Sequence, residues 1–356
     1  MKKFLFFLSI PILFFSCSQS QPSGSESSQP KELPTYSAFK GETQGTFFDI
    51  QYKEEKDFTA EIKLILKQID DGFNLWDSTS TISKLNDWKE INKAFSFNDT
   101  TLYFPIMMDV SREIYEKTDH AFDPSVLPLL KLWNFGKDIS EEPSQKEIDQ
   151  VLEIIGYSEF DFMLYDNPYE DARTEPVTIR KTHADKKLDF NAIVQGYTCD
   201  LIGDMFIENG VEDFMVNVGG EIKVSGKNPS GEPWTLGIQD PRKDDGKYKS
   251  VIQLTDCGVA TSGSYNKFKI IDGVRHSHTI DGRLGRPVTH SLLSCTVIAQ
   301  TAYQADAYAT AFMVMGKEVT HQFLIENPDL GLKVYLIEDS EGELKVTHTP
   351  DFPIVN

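Results

Sequence analysis

The chain has 356 residues, 40% of them hydrophobic and 25% charged, with a formal net charge of −20. That composition can build a sizeable core, and the acidic balance argues against nucleic acid or an anionic membrane surface as partners, since both need a basic field. A phosphate-bearing ligand stays open, provided a metal or backbone N–H groups meet the phosphates.

Lys2 and Lys3 precede an apolar run over 4–15, too short to span a bilayer and of the length of a signal h-region. The run ends in Phe14-Phe15-Ser16-Cys17, which resembles a bacterial lipobox, although Phe15 is bulkier than is usual at its site. An ordinary signal peptide with a chance cysteine is the plainer alternative. The expected layout is a lipoprotein signal over 1–17 with a lipid on Cys17, a Ser/Gln/Pro-rich flexible tether over 18–35, and one folded domain over 36–356. Such a protein faces away from the cytoplasm, on a membrane the sequence does not name. Cys199, Cys257 and Cys295 form no CxxC pair, so they read as buried small hydrophobes rather than a zinc or redox site.

Within the domain, 46–52 reads as a strand. A helix follows on Ile62, Ile65, Leu66, Ile69 and Phe73, spaced for one helical face. Residues 78–86 read as a loop with a short helical turn, 104–117 as a helix, and 144–155 as a helix stopped by Gly156. Short strands are expected at 177–180 and 187–190, and a helix over 195–209 ahead of Gly210. Strands at 214–218, 221–225, 234–239 and 250–254 follow, then a strand at 294–299. A helix over 304–315 is expected to be closed by Gly316, and 333–337 with 344–347 to form a hairpin. No βαβ rhythm or fixed-period repeat is present, so the fold class is α+β, a mixed α/β domain with one continuous core.

Several constellations can carry chemistry. Asp306 and Thr310 are four apart on the 304–315 helix, so a carboxylate and a hydroxyl share one face, a pair of hard oxygen ligands suited to Mg²⁺. The plain alternative is an exposed Asp and a Thr bonded back to its own helix. Leu188-Asp189-Phe190-Asn191-Ala192 runs into the helix through Gln195-Gly196, where free N–H groups can meet an anion, or where Asp189 or Asn191 serves only as a cap. Gly219-Gly220-Glu221 is a hairpin turn or a point of close backbone approach. His276 and His278 point the same way on a strand, and a histidine near a diphosphate can act as base; structural histidines are commoner. Thr261-Ser262-Gly263-Ser264 reads as a small polar loop that could line a phosphate site. Gln44-Gly45-Thr46, Trp76-Asp77 and Ala121-Phe122-Asp123-Pro124 supply a turn, aromatic faces and acids that suit a flat ring, although core packing is the usual role of such aromatics.

The order of seven segments, 44–46, 76–86, 121–136, 188–197, 216–222, 278–282 and 305–310, resembles the ApbE-type FAD:protein FMN transferase family, over about Lys40 to the C-terminus. The resemblance implies a flavin-transferase fold of two subdomains around one core. It also implies Mg²⁺ as cofactor, FAD as substrate, and transfer of FMN through a phosphoester to a Thr or Ser of a target protein, with release of AMP. By position, Asp306, Thr310 and the backbone carbonyl of Ala192 resemble the metal ligands. Gln44, Trp76, Ala121, Phe122, Asp123, Asp189, Gln195 and His278 resemble FAD contacts, and His278 also resembles the catalytic base. Gln44 stands where the family often has Met, and Gln195 where it often has Lys or Glu. Family acceptors are often exported flavoprotein subunits of ion-pumping redox complexes, which makes such a subunit the expected partner. An FAD pyrophosphatase yielding FMN and AMP, and a non-catalytic FAD-binding lipoprotein, are the competing readings.

Overall fold

An antiparallel sheet of eight strands organises the structure, a computed structural model that describes residues 35–134, 142–157, 160–163, 176–242, 248–264, 268–271, 274–277 and 279–355. Pro34–Asn356 forms one compact unit. In chain order the elements are β1 (Ser37–Thr43), β2 (Thr46–Tyr52), α1 (Thr59–Phe73), α2 (Thr81–Asp87), β3 (Phe95–Phe97), α3 (Tyr103–Lys117), α4 (Leu127–Trp133), α5 (Gln145–Leu152), β4 (Phe160–Met163) and β5 (Val177–Lys181). Then come α6 (Val194–Glu208), β6 (Phe214–Val218), β7 (Glu221–Ser225), β8 (Trp234–Gln239), β9 (Tyr248–Leu254), β10 (Cys257–Gly263), β11 (Phe268–Ile271), β12 (Val274–Ser277), β13 (Ile280–Asp281) and β14 (Arg286–Pro287). The chain closes with β15 (Leu292–Ala299), α7 (Ala302–Glu326), β16 (Lys333–Ser340), β17 (Glu343–His348) and β18 (Ile354–Val355).

The large sheet runs β1-β2-β6-β7-β10-β15-β16-β17. One face packs on helices: Phe48, Ile50 and Val216 meet Ile62, Ile202 and Phe206, while Cys295, Val297, Val334 and Leu336 meet Phe312 and Phe323 of α7. The other face, through Val224, Ile298, Tyr335 and Ile337, packs on the three-stranded sheet β18-β9-β8. β15 is covered on both faces, so all eight of its residues are buried. A smaller layer of α2, α3 and the sheet β3-β5-β4 continues the helical side, with Phe73 and Phe104 stacked at 5.1 Å. This is the expected mixed α/β class. Among the described residues no helix is long and apolar enough to cross a membrane.

The contact that sets the position of α7 is long-range. The Asp200 carboxylate of α6 accepts the N–H of Ala302 at 2.9 Å and of Tyr303 at 2.8 Å. Lys223 lies 3.4 Å from Asp200 and donates to the Gln300 carbonyl at 2.9 Å. A Cβ on Gly196 would stand 2.4 Å from the Ala302 carbonyl oxygen, and one on Gly258 would stand 2.3 Å from the Ala302 nitrogen.

Two expectations need correction, and two elements lie outside them. Residues 187–190 form no strand: Leu188 exchanges both of its backbone hydrogen bonds with the Asn86 side chain, at 2.7 and 2.8 Å, and the Asp189 N–H goes to the Pro124 carbonyl at 2.7 Å. Gly316 closes the helical run begun at Ala302, as expected, and a second run follows it. It takes φ 73° inside α7, and the chain resumes helical geometry to Glu326. Thr261-Ser262-Gly263 is the end of β10 rather than a loop, paired to β15. Finally, β1 and α4 were not expected at all.

Two predictions follow from this scaffold. Asp200→Ala leaves two helix N–H groups and Lys223 without their carboxylate and lowers stability by about 2 kcal/mol, read by chemical denaturation. Lys181, buried and donating to the Leu85 carbonyl at 3.2 Å, is pushed down to about 8 by loss of solvation. Above pH 8 the folded chain gives up a proton that the unfolded chain keeps to about pH 10.4. Wild type therefore gains stability relative to Lys181→Met as pH rises from 8 to 10; parallel curves would contradict this.

Candidate functional site

A cavity of about 470 Å³ opens where α7, β7 and β10 meet the loops at 121–126 and 189–192. Its acidic wall is built on α7. Asp306 and Thr310 face inward one turn apart, and Thr310 Oγ1 lies 3.1 Å from Ser262 Oγ on β10. Asp306 Oδ2 accepts the Gly196 N–H at 3.2 Å. The Gly219-Gly220 turn joins β6 to β7 with φ 72° and 115°, and brings Glu221 to the same wall. Burial holds the Asp306 carboxyl well above the usual range, and the neighbouring Glu221 charge adds to this. Burial pushes Glu221 up to about 7.

Two neighbouring carboxylates repel each other unless a proton or a cation intervenes. The hydroxyls of Thr310, Ser262 and Thr261 line the same cavity, all hard oxygens, and Ala192 lines it too. That set fits a divalent cation such as Mg²⁺, which takes one or two carboxylates and fills its other positions with water and phosphate oxygens. Among the described residues no three His, Cys, Asp or Glu side chains gather to hold a metal, so a site closed by protein acids or soft ligands is not what the wall offers.

The opposite wall carries Ala121, Phe122, Asp123 and Asp189. Asp123 Oδ1 accepts the N–H of Ser125 at 2.7 Å and its hydroxyl at 2.6 Å. Asp189 Oδ1 accepts the Asn191 N–H at 2.8 Å, an Asx turn rather than a helix cap. Burial raises both carboxyls. Fixed carboxyl oxygens can receive the hydroxyl and N–H donors of a nucleotide, and Phe122 packs in the core behind them.

The structure thus gathers Ala121, Phe122, Asp123, Asp189, Ala192, Asp306 and Thr310 around one cavity. Gln44 and Trp76 line a small adjoining cleft, joined to the cavity through Asn191, which lines both. Gln195 is half-buried in the first turn of α6 and lines neither. His278 lies outside the described residues; Thr279, next in the chain, lines the cavity. Glu221 was quoted in the sequence only as the end of a glycine turn, and Asp200 was not singled out. The signal for Glu221 was the turn itself, which leaves the first residue of a strand facing whatever the turn abuts. Cys199, Cys257 and Cys295 are free thiols, the first and last buried.

The sequence profile of the ApbE family matches residues 44–335. The FAD:protein FMN transferase of Escherichia coli (strain K12) is 29% identical over 361 residues, covering 97% of this chain and 95% of that protein. The FAD:protein FMN transferase of Vibrio cholerae is 30% identical over 286 residues, covering 78% of this chain and 81% of that protein. The solved structure of the flavin transferase ApbE from Vibrio cholerae superposes with a TM-score of 0.75 at 27% identity, over 89% of this chain and 98% of that one. The apo flavinyl transferase ApbE from Pseudomonas stutzeri gives 0.75 at 27% identity, over 89% and 95%. With matched fold, matched length and a family profile spanning most of the domain, the chain belongs to the ApbE family of flavin transferases.

Proposed function

We propose that the protein moves the FMN half of FAD onto a Thr or Ser hydroxyl of an acceptor protein, with Mg²⁺ as cofactor and AMP as the second product. The observation that carries this is the wall of Asp306, Glu221, Thr310 and Ser262, an acidic, oxygen-only site inside a cavity lined for a nucleotide. Asp306, Thr310 and the Ala192 carbonyl are the residues that would hold the ion. Bound there, Mg²⁺ neutralises charge on the diphosphate oxygens and makes the phosphorus easier to attack.

The chain's own groups do the rest. Asp123 and Asp189 accept donors of the FAD and fix its position, while Phe122 packs in the core behind them. His278 takes the proton of the acceptor hydroxyl. The hydroxyl oxygen then bonds to the flavin-side phosphorus, the bond from that phosphorus to the bridging oxygen breaks, and AMP leaves with that oxygen. The acceptor is an exported flavoprotein subunit, and the enzyme reaches it from a lipid on Cys17 through the tether at 18–35, outside the cytoplasm.

The test uses the full chain in detergent with FAD, Mg²⁺ and a Ser/Thr-bearing acceptor subunit, followed by intact-mass analysis. The acceptor gains the mass of FMN, and EDTA or Asp306→Ala abolishes the gain. His278→Ala slows it by about 100-fold or more. Steady release of free FMN and AMP without an adduct would replace transfer by hydrolysis. Unchanged FAD despite tight binding would leave a binding protein. Independently of turnover, Mg²⁺ raises the melting temperature of wild type and leaves that of Asp306→Ala unmoved.

A further inference from the structure

Gln44 sits at the tip of the β1–β2 hairpin in a left-handed conformation, φ 51°, which a residue with a side chain adopts only when held there. Two contacts hold it. Its N–H donates to the Asp70 carboxylate, and its side-chain Nε2 donates to Thr198 Oγ1 at 2.9 Å. The second contact fixes which way the amide faces. Thr198 has one hydroxyl proton and gives it to the Val194 carbonyl at 2.7 Å, so its oxygen has only acceptor capacity left for Gln44. The group facing Thr198 must be the NH₂.

Gln44 Oε1 is left turned away from Thr198. It is buried from solvent and has no hydrogen-bond partner among the described residues. Such an acceptor forfeits its solvation without return, and an orphaned polar atom of this kind calls for a donor from outside the fold. The cleft beside it has a volume of about 10 Å³ and is bounded by Asp70, Asn74, Trp76 and Asn191. That is room for one water or for the edge of a ring, not for a ring. Trp76 stands 74% exposed at this cleft, and Asn191 connects it to the main cavity. An exposed indole and a free amide acceptor lining one cleft match a flat heterocycle that stacks and presents an N–H at its rim.

We infer that Gln44 Oε1 accepts a hydrogen bond from a ring N–H of FAD, and that this amide makes the donor a requirement for binding. The inference rests on FAD being the substrate. FAD offers this chemistry twice, at the imide N3–H of the isoalloxazine and at the 6-amino group of adenine. A thioether or alkyl side chain at 44 would support stacking without asking for a donor, so the amide is a specificity determinant of this chain.

The experiment compares three ligands on the full chain with Mg²⁺: FAD, FAD methylated at flavin N3, and FAD dimethylated at the adenine amino group. Dissociation constants come from flavin fluorescence. One analogue binds wild type about tenfold more weakly than FAD, and binds Gln44→Leu as FAD does; the analogue that loses affinity identifies the ring. The wild-type arm needs no variant to fold, and the melting temperature of Gln44→Leu checks the other. If FAD binds wild type and both analogues bind as well as FAD, the inference is wrong while the substrate stands. It is also wrong if the loss persists undiminished in Gln44→Leu. If FAD itself fails to bind, the substrate reading falls and takes the inference with it.

Discussion

The first turn of α7 approaches α6 and β10 closely because neither Gly196 nor Gly258 carries a Cβ that would strike Ala302. Ala302, Asp306 and Thr310 are spaced by four, so the face pressed against those glycines is the face that carries the acid and the hydroxyl of the cavity. Seating and chemistry are therefore one constraint. The Asp200 carboxylate adds direction by taking the N–H groups of Ala302 and Tyr303, so the helix is pinned at its start from a neighbouring helix. Thr301 supplies only a local cap, to the Gln304 N–H at 3.3 Å. A shift of this first turn would move Asp306 away from the Gly196 N–H and Thr310 away from Ser262 together.

The same seating fixes where the two carboxylates of the wall stand. The positive end of α7 is spent on Asp200, which itself lies near Lys223, and does not reach the cavity as an anion site. Asp306 gains a single backbone N–H from the opening of α6. That is little against a buried Asp306 with the half-buried Glu221 beside it, and loss of solvation raises both carboxyls. Carboxylates placed side by side in this way are relieved by a proton or by a cation. Strain of this kind is the usual signature of a site rather than of a core.

What could be read from the sequence divides along the same line between local and distant interactions. α1, α3, α6, β2 and β6–β8 announced themselves through period and flanking turns, and the Asp306–Thr310 pair through helical spacing alone. β10 did not, because Thr261-Ser262-Gly263 has the composition of a loop. It is a strand since β7 and β15 pair with it on either side and α7 tolerates nothing larger than Gly258. β1 is an edge strand with most of its residues exposed or half-exposed, so it carries no alternation to detect. The reverse error at 187–190 has the same origin. Leu188 and Phe190 alternate like a strand, but the partner of Leu188 is the side chain of Asn86, about a hundred residues earlier. A pairing of that kind leaves no periodic trace, and neither does the reach of Asp200 to α7.

Gly316 carries this reasoning one step further. A glycine after a run of apolar residues normally closes a helix, and the local pattern at 304–315 says as much. Here its φ of 73° ends one helical run and a second follows directly to Glu326, with the Met313 carbonyl 3.0 Å from His290 Nε2. His290 can sit there because Gly316 lacks a Cβ, which would stand 2.9 Å from the imidazole ring. Beyond the break Thr320 donates to the Gly316 carbonyl at 2.7 Å and the helix resumes, returning Phe323 onto Tyr308 and Phe312. Met313 and Val314, immediately before the break, line the cavity. The break thus lets one helix do two jobs on different axes. Its first half is aligned by glycines and Asp200 to present Asp306 and Thr310, and its second half is free to follow the curvature of the sheet and close the core behind them.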